Sequence, residues 1–206
     1  RPPPRSTLFP YTTLFRSFGL LYGMGQYRLA SKLRITVDAA KELMRLYRET
    51  YKVAVGWLRG QGQRIEHPDK DGKVYAATLA GRRRWFDTTW TLPKNLTKTE
   101  LEEARELRNR KVAGIQRQLA NHPIQGSSAD ITKLAIALWQ KNYACPEMRL
   151  VATIHDELLL EVVNEPVVIY AAKERLGECM HRALTHFLTD MEIKVPVGIV
   201  SDHWQH

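Results

Sequence analysis

Two apolar runs, Leu150–Ile154 and Leu158–Val163, are separated only by His155, Asp156 and Glu157. The pattern reads as a buried β-hairpin with a polar tip. It constrains the fold because burying a charge costs several kcal/mol unless the charge is paired or metal-bound. Two adjacent carboxylates between apolar strands therefore need solvent, a cation or a metal. At a hairpin tip, Asp156 and Glu157 can reach toward Mg²⁺, an ion that takes a few carboxylates together with substrate phosphate oxygens. Phosphoryl-transfer sites use such carboxylates to steady the attacking and leaving oxygens. An ordinary exposed turn is the competing reading of the same three residues.

The remaining pattern alternates helices and hairpins. Phe18–Arg34 reads as a helix with breaks at Gly23 and Gly25, and Thr36 as the cap of a second helix. Asp38 lies in that helix's first turn, and Val37, Ala40, Met44, Tyr47 and Tyr51 form its apolar stripe. Gly60–Gly72 reads as a loop. Val74–Leu79 and Arg82–Phe86 flank Ala80-Gly81 as a second hairpin. Thr99 and Glu102 have capping-box spacing, starting a charged helix that runs to about Leu119. Pro123 opens a further helix through Ile131, Leu134, Leu138 and Trp139. A long amphipathic helix spans Pro166–Leu188, and Val195–Val200 is a last strand. This mixture is an α+β layout.

There are 31 Lys and Arg against 22 Asp and Glu, a net charge of +9, which favours nucleic acid first and a membrane surface second as partner. A solvated basic surface accounts for the charge equally well. No apolar stretch is long enough for a transmembrane helix. The two cysteines, Cys145 and Cys179, form no C-x-x-C pair, so neither a zinc site nor a disulfide framework is indicated, and a reducing compartment fits.

Three weaker features bear on binding. Arg117, Asn121 and Gln125 recur every four residues and would make one polar stripe on a continuous helix, although Pro123 should bend the path. Arg contacts phosphates, and Asn and Gln can donate to minor-groove acceptors shared among base pairs. A solvated helix end is the alternative. Phe18 and Tyr22, at i and i+4, offer stacking surface or core packing. In Thr78–Trp85 (TLAGRRRW), Arg82 and Arg84 share a strand face, for phosphate or for solvent.

The first seventeen residues stand apart. Pro3–Ser17 resembles an in-frame translation of a sequencing-library adapter; a flexible proline-rich arm is the alternative. A targeting sequence is not indicated, because no continuous apolar core or small-residue cleavage site is present. On the adapter reading the natural sequence starts at Phe18 and continues upstream of it. Removing Arg1, Arg5 and Arg16 lowers +9 to +6, so the basic character survives.

Taken in order, FGLLYGMG, TLAGRRRW, RQLANHPIQGSSADI and HDELLLEV resemble the C-terminal region of family A DNA polymerases, the bacterial and phage DNA polymerase I type, from Phe18 to His206. The resemblance implies part of the fingers at 18–97 and a palm portion at 98–206, and leaves 1–17 outside it as a foreign or disordered segment. It implies that Asp156 is the motif C metal ligand, that Glu157 is its accessory neighbour, and that His155 approaches the primer terminus. Phe18 and Tyr22 match the motif B aromatics that contact nucleotide and template. Arg117, Asn121 and Gln125 match the residues that track the minor groove, and His206 matches a terminal histidine common in the family. The implied ligands are Mg²⁺, primer–template DNA and deoxynucleoside triphosphates. The implied protein is a cytoplasmic monomer, from a bacterial cell or phage-infected host, without membrane association.

The departures matter as much. Leu14 and Pro10 stand where motif B has Lys and Arg to grip the triphosphate, and Gln116 stands where Glu is frequent. No aspartate here has the context of motif A, the source of the second metal ligand. The chain by itself is therefore expected to be inactive, and a non-catalytic DNA-binding remnant is the alternative description. A different metal-dependent nuclease or nucleotidyl transferase built on His155-Asp156-Glu157 is a more distant one.

Overall fold

The structure, a computed structural model, describes residues 24–91 and 95–199. Its order is α1 (Gln26–Leu33), α2 (Val37–Thr50), α3 (Lys52–Gln63), a 3₁₀ turn (Arg64–Glu66), β1 (Lys73–Ala77), β2 (Arg83–Asp87), α4 (Lys98–Asn142), β3 (Met148–Ile154), β4 (Glu157–Val162) and α5 (Pro166–Phe187). The two sheets are two-stranded hairpins, β1–β2 and β3–β4, so the fold class is α+β. The chain divides into two compact units, one of residues 1–76 and 83–123, the other of 77–82 and 124–206. Among the described residues, no helix is long and apolar enough to cross a membrane.

In the first unit, Thr36 caps α2 as expected: its hydroxyl accepts the Ala39 amide at 3.2 Å, and Asp38 occupies the first turn. The helix stops at Thr50, and Tyr51, the last residue of the expected stripe, is the joint to α3 with φ −106° and ψ 38°. Leu29, Ala30 and Ala40 form a small core between α1 and α2. The expected loop at Gly60 starts later, because α3 continues to Gln63. Glycine is a poor helix former, but packing overrides that preference here. A Cβ at Gly62 would come within 3.2 Å of the Gln116 carbonyl oxygen, so glycine permits the close approach of α3 to α4. A second core joins Val74, Ala76 and Phe86 to Ile115 and Leu119.

The capping box that starts α4 is Thr97 with Glu100, two residues before the expected Thr99 with Glu102. The Thr97 amide and hydroxyl donate to Glu100 Oε2 at 2.8 and 2.7 Å, and the Glu100 amide reaches back to Thr97 Oγ1 at 3.4 Å. Nor does Pro123 open a new helix, since it lies inside the uninterrupted α4. Proline removes one backbone donor. That loss is tolerated because each half of α4 is anchored in its own core, through Ile115 and Leu119 in one unit and Ala135 and Trp139 in the other.

The second unit packs α5 and the C-terminal half of α4 with β3 and β4. Trp139, Cys179 and Ala183 are fully buried there, beside Met148, Leu158, Ala172 and Leu176. The expected strand at Val195–Val200 is absent across 195–199. A strand needs a neighbour for its backbone groups, and among the described residues the β3–β4 sheet has two strands, with a single further bridge from Met148 to Cys145. Val197 instead contributes its side chain to this core, with its Cγ2 3.5 Å from where a Cβ on Gly177 would lie.

Candidate active site

The β3–β4 hairpin is antiparallel, with Met148 opposite Val162, Leu150 opposite Leu160 and Ile154 opposite Glu157. Register shifts between Leu150 and Ala152, where Val151 is the extra residue and is half exposed. Such a bulge increases local twist. Buried Met148 and Leu158 fix the inner side, and an exposed ion pair, Arg149 to Glu161 at 2.7 Å, bridges the strands.

The connection is shorter than the sequence suggests. Only His155 and Asp156 form the turn; Glu157 is the first residue of β4. Tight two-residue hairpins need positive φ at their first central position to match strand twist. His155 supplies it, with φ 55°. A left-handed L-residue costs about 1–2 kcal/mol, and strain of this kind concentrates at functional sites. His155, Asp156 and Glu157 are all solvent-exposed.

This donor set is open. Two successive residues offer carboxylates to solvent, and among the described residues no group of three His, Cys, Asp or Glu side chains is assembled to hold a metal ion. One or two carboxylates with open positions suit Mg²⁺ shared with phosphate oxygens and do not form an all-protein cage.

Arg117, Asn121 and Gln125 all lie in α4, which stays helical through Pro123. Arg117 and Gln125 are exposed and Asn121 is half-buried. Arg117 makes no ion pair among the described residues. Phe18, Tyr22 and His206, like Leu14 and Pro10, lie outside the described residues.

Arg82 has a role that the sequence did not reveal. It lies in the turn before β2 and not in the strand. Its Nε donates to Asp130 Oδ1 at 2.9 Å and its Nη2 to the Gly126 carbonyl at 3.2 Å. Beside it, the Leu79 amide donates to Ser127 Oγ at 2.8 Å. Burial alone would raise the Asp130 carboxyl pKa. The Thr78 hydroxyl, Arg82 and Lys133 outweigh burial and hold it below the usual carboxylate value. Arg84, by contrast, donates to Gln118 Oε1 at 2.6 Å. These pairings join residues 48 and 34 apart in sequence, so no local pattern announces them.

The family model for DNA polymerase family A matches residues 15–206. DNA polymerase I of Synechocystis is 34% identical over 152 residues, which cover 72% of this chain and 15% of that protein. DNA polymerase I of Treponema pallidum is 34% identical over 185 residues, covering 89% of this chain and 16% of the relative. Among solved structures, the POL domain of Pol1 from M. smegmatis, in complex with DNA primer-template and dNTP, is similar with TM-score 0.63 and 28% identity. That likeness covers 87% of this chain and 29% of the other. The chain thus spans about one sixth of the length of the two curated relatives named. With the family model matching nearly its whole length and the α+β fold in agreement, this chain belongs to DNA polymerase family A.

Proposed function

We propose that the protein to which this chain belongs extends a DNA primer by template-directed attack of its 3′ hydroxyl on the α-phosphate of a deoxynucleoside triphosphate, releasing pyrophosphate. The observation that carries the reading is an exposed carboxylate pair, Asp156 and Glu157, at a strained hairpin tip in a family A polymerase chain. On this reading 18–97 is part of the fingers and 98–206 part of the palm, with 1–17 foreign to both.

Asp156 would hold Mg²⁺, with Glu157 as an accessory ligand. Bound divalent ions would neutralise charge developing between the primer oxygen and the leaving pyrophosphate. His155, fixed by its left-handed backbone, would face the primer terminus. Arg117 would contact a backbone phosphate, and Asn121 and Gln125 would donate to minor-groove acceptors common to all base pairs, giving sequence-independent grip. Phe18 and Tyr22 would contact nucleotide and template. The protein would act as a monomer in the cytoplasm of a bacterial cell or a phage-infected host.

The chain by itself supplies only part of this machinery. Leu14 and Pro10 replace the cations expected to grip the triphosphate, and no second aspartate has the required context. A DNA-binding remnant without catalysis is therefore the second reading, for this chain alone. Primer extension with Mg²⁺ by this chain, beside a longer protein carrying the same sequence, tests both. Extension by the longer protein alone fits the proposal. Extension by neither removes it, and robust extension by this chain overturns the expected inactivity.

A further inference from the structure

The β1–β2 hairpin buries one side, through Val74, Ala76 and Phe86, and leaves the other partly open. Side chains alternate along strands, so Tyr75, Arg83 and Trp85 share the partly open side. Trp85 is 50% exposed, and its ring centroid lies 4.9 Å from that of Tyr75 at an interplanar angle of 52°. Two guanidinium groups lie over the Tyr75 ring, Arg64 at 4.8 Å and Arg83 at 4.7 Å. Neither arginine has a carboxylate partner among the described residues; Arg64 makes one long contact to Gln61 Oε1, at 3.5 Å. Trp85 also borders an open depression lined by Lys73 and Phe86.

We propose that this face is a stacking platform for an unpaired nucleotide of a single-stranded nucleic acid, with the base on Trp85 and the phosphates at Arg64 and Arg83. Base–aromatic stacking flanked by cations is how sequence-tolerant single-strand binders work. A duplex keeps its base faces stacked, so an exposed ring selects an unpaired strand. The depression also has acidic walls, Asp69, Asp71 and Asp87. Their charge repels phosphate, so the strand's phosphates lie at Arg64 and Arg83 and not in the depression; local hydrogen bonds hold two of the carboxylates in place. Asp69 Oδ1 accepts the amides of Asp71 and Lys73 at 3.0 and 2.8 Å, and Asp87 Oδ1 accepts the Thr89 amide and hydroxyl at 2.8 and 2.6 Å. The platform stands on the geometry of one hairpin and the 3₁₀ turn before it, and does not depend on the polymerase reading.

The test is fluorescence anisotropy of a labelled oligodeoxythymidylate, with a labelled duplex as second probe, at low and moderate salt. The unmodified chain should bind the single strand, and Trp85→Ala should weaken that binding at least about 5-fold while leaving duplex binding unchanged. Trp57→Ala, which removes a ring of similar exposure on α3, 46%, should change neither. Trp85→Phe keeps a stacking surface and should retain affinity within about 2-fold, which guards against a merely misfolded alanine variant. Arg83→Ala should lower the salt slope by about 0.7. Failure of the unmodified chain to bind the single strand overturns the platform. So does unchanged binding by Trp85→Ala, or parallel loss of single-strand and duplex binding. Single-strand binding without duplex binding supports the platform and counts against the polymerase reading.

Discussion

Replacing Arg82 by alanine should destabilise the second unit more than replacing its partner Asp130 by asparagine. The Asp130 side chain is only 12% exposed and receives Arg82 Nε at 2.9 Å, whereas Arg82 itself is 46% exposed. Removing Arg82 takes from a nearly buried carboxylate its hydrogen-bonded guanidinium, leaving the Thr78 hydroxyl and the more weakly acting Lys133, and takes that donor from the Gly126 carbonyl. Removing the charge of Asp130 leaves a guanidinium that water can solvate. Breaking a buried ion pair costs about 3–5 kcal/mol, but half of this pair is wet, so about 1–2 kcal/mol is the scale for Arg82→Ala and about 0.5–1 kcal/mol for Asp130→Asn. The first corresponds to a fall in Tm of about 2–8 °C. The sign of the pH dependence follows from the lowered Asp130 pKa. A carboxylate held below its unfolded value contributes stability above about pH 4, and that contribution is lost as pH falls through the folded value. The Arg82→Ala deficit should therefore be full at pH 7 and shrink below about pH 4. Circular dichroism melts of the chain and both variants across this range measure it. A larger loss for Asp130→Asn, or an Arg82→Ala deficit that persists undiminished in acid, would refute the argument.

Three further outcomes are expected. His155→Gly should raise stability by about 0.5–1 kcal/mol, the left-handed cost it relieves less the added entropy of an unfolded glycine; a urea titration reads the change. Thr97→Ala should cost about 1 kcal/mol by removing the box at the start of α4, while Thr99→Ala should cost little, and the same titration compares them. The chain should bind duplex DNA weakly with a steep salt dependence, and Arg117→Ala should reduce the slope of log affinity against log salt by about one phosphate's share, roughly 0.9.

The hairpin carrying Asp156 was legible because apolar runs of strand length leave little choice but to pair. Its turn is one residue shorter than the polarity pattern suggests, since Glu157 is polar yet sits at the start of β4 and pairs with Ile154. Both Thr97 and Thr99 have a glutamate three residues on, so spacing alone did not choose between them. The flanking residues do, because the Thr97 register puts Leu96 before the cap and Leu101 at the fourth helical position, the pattern of a hydrophobic staple. Pro123 locally prefers to start or bend a helix, whereas the anchoring of α4 on Leu119 and Trp139 is a tertiary effect with no local signature. The Arg82–Asp130 pair joins residues 48 apart and leaves no periodic trace.

The most direct test of the proposed chemistry is single-nucleotide incorporation with Mg²⁺ by a longer protein carrying this sequence, as it stands and with Asp156→Ala or Glu157→Ala. Losing one preorganised electrostatic contact costs about 100- to 1000-fold in rate. Asp156→Ala should therefore lose at least that factor with primer–template binding retained, and Glu157→Ala should lose less. Undiminished incorporation by the Asp156 variant would contradict the assignment of the site.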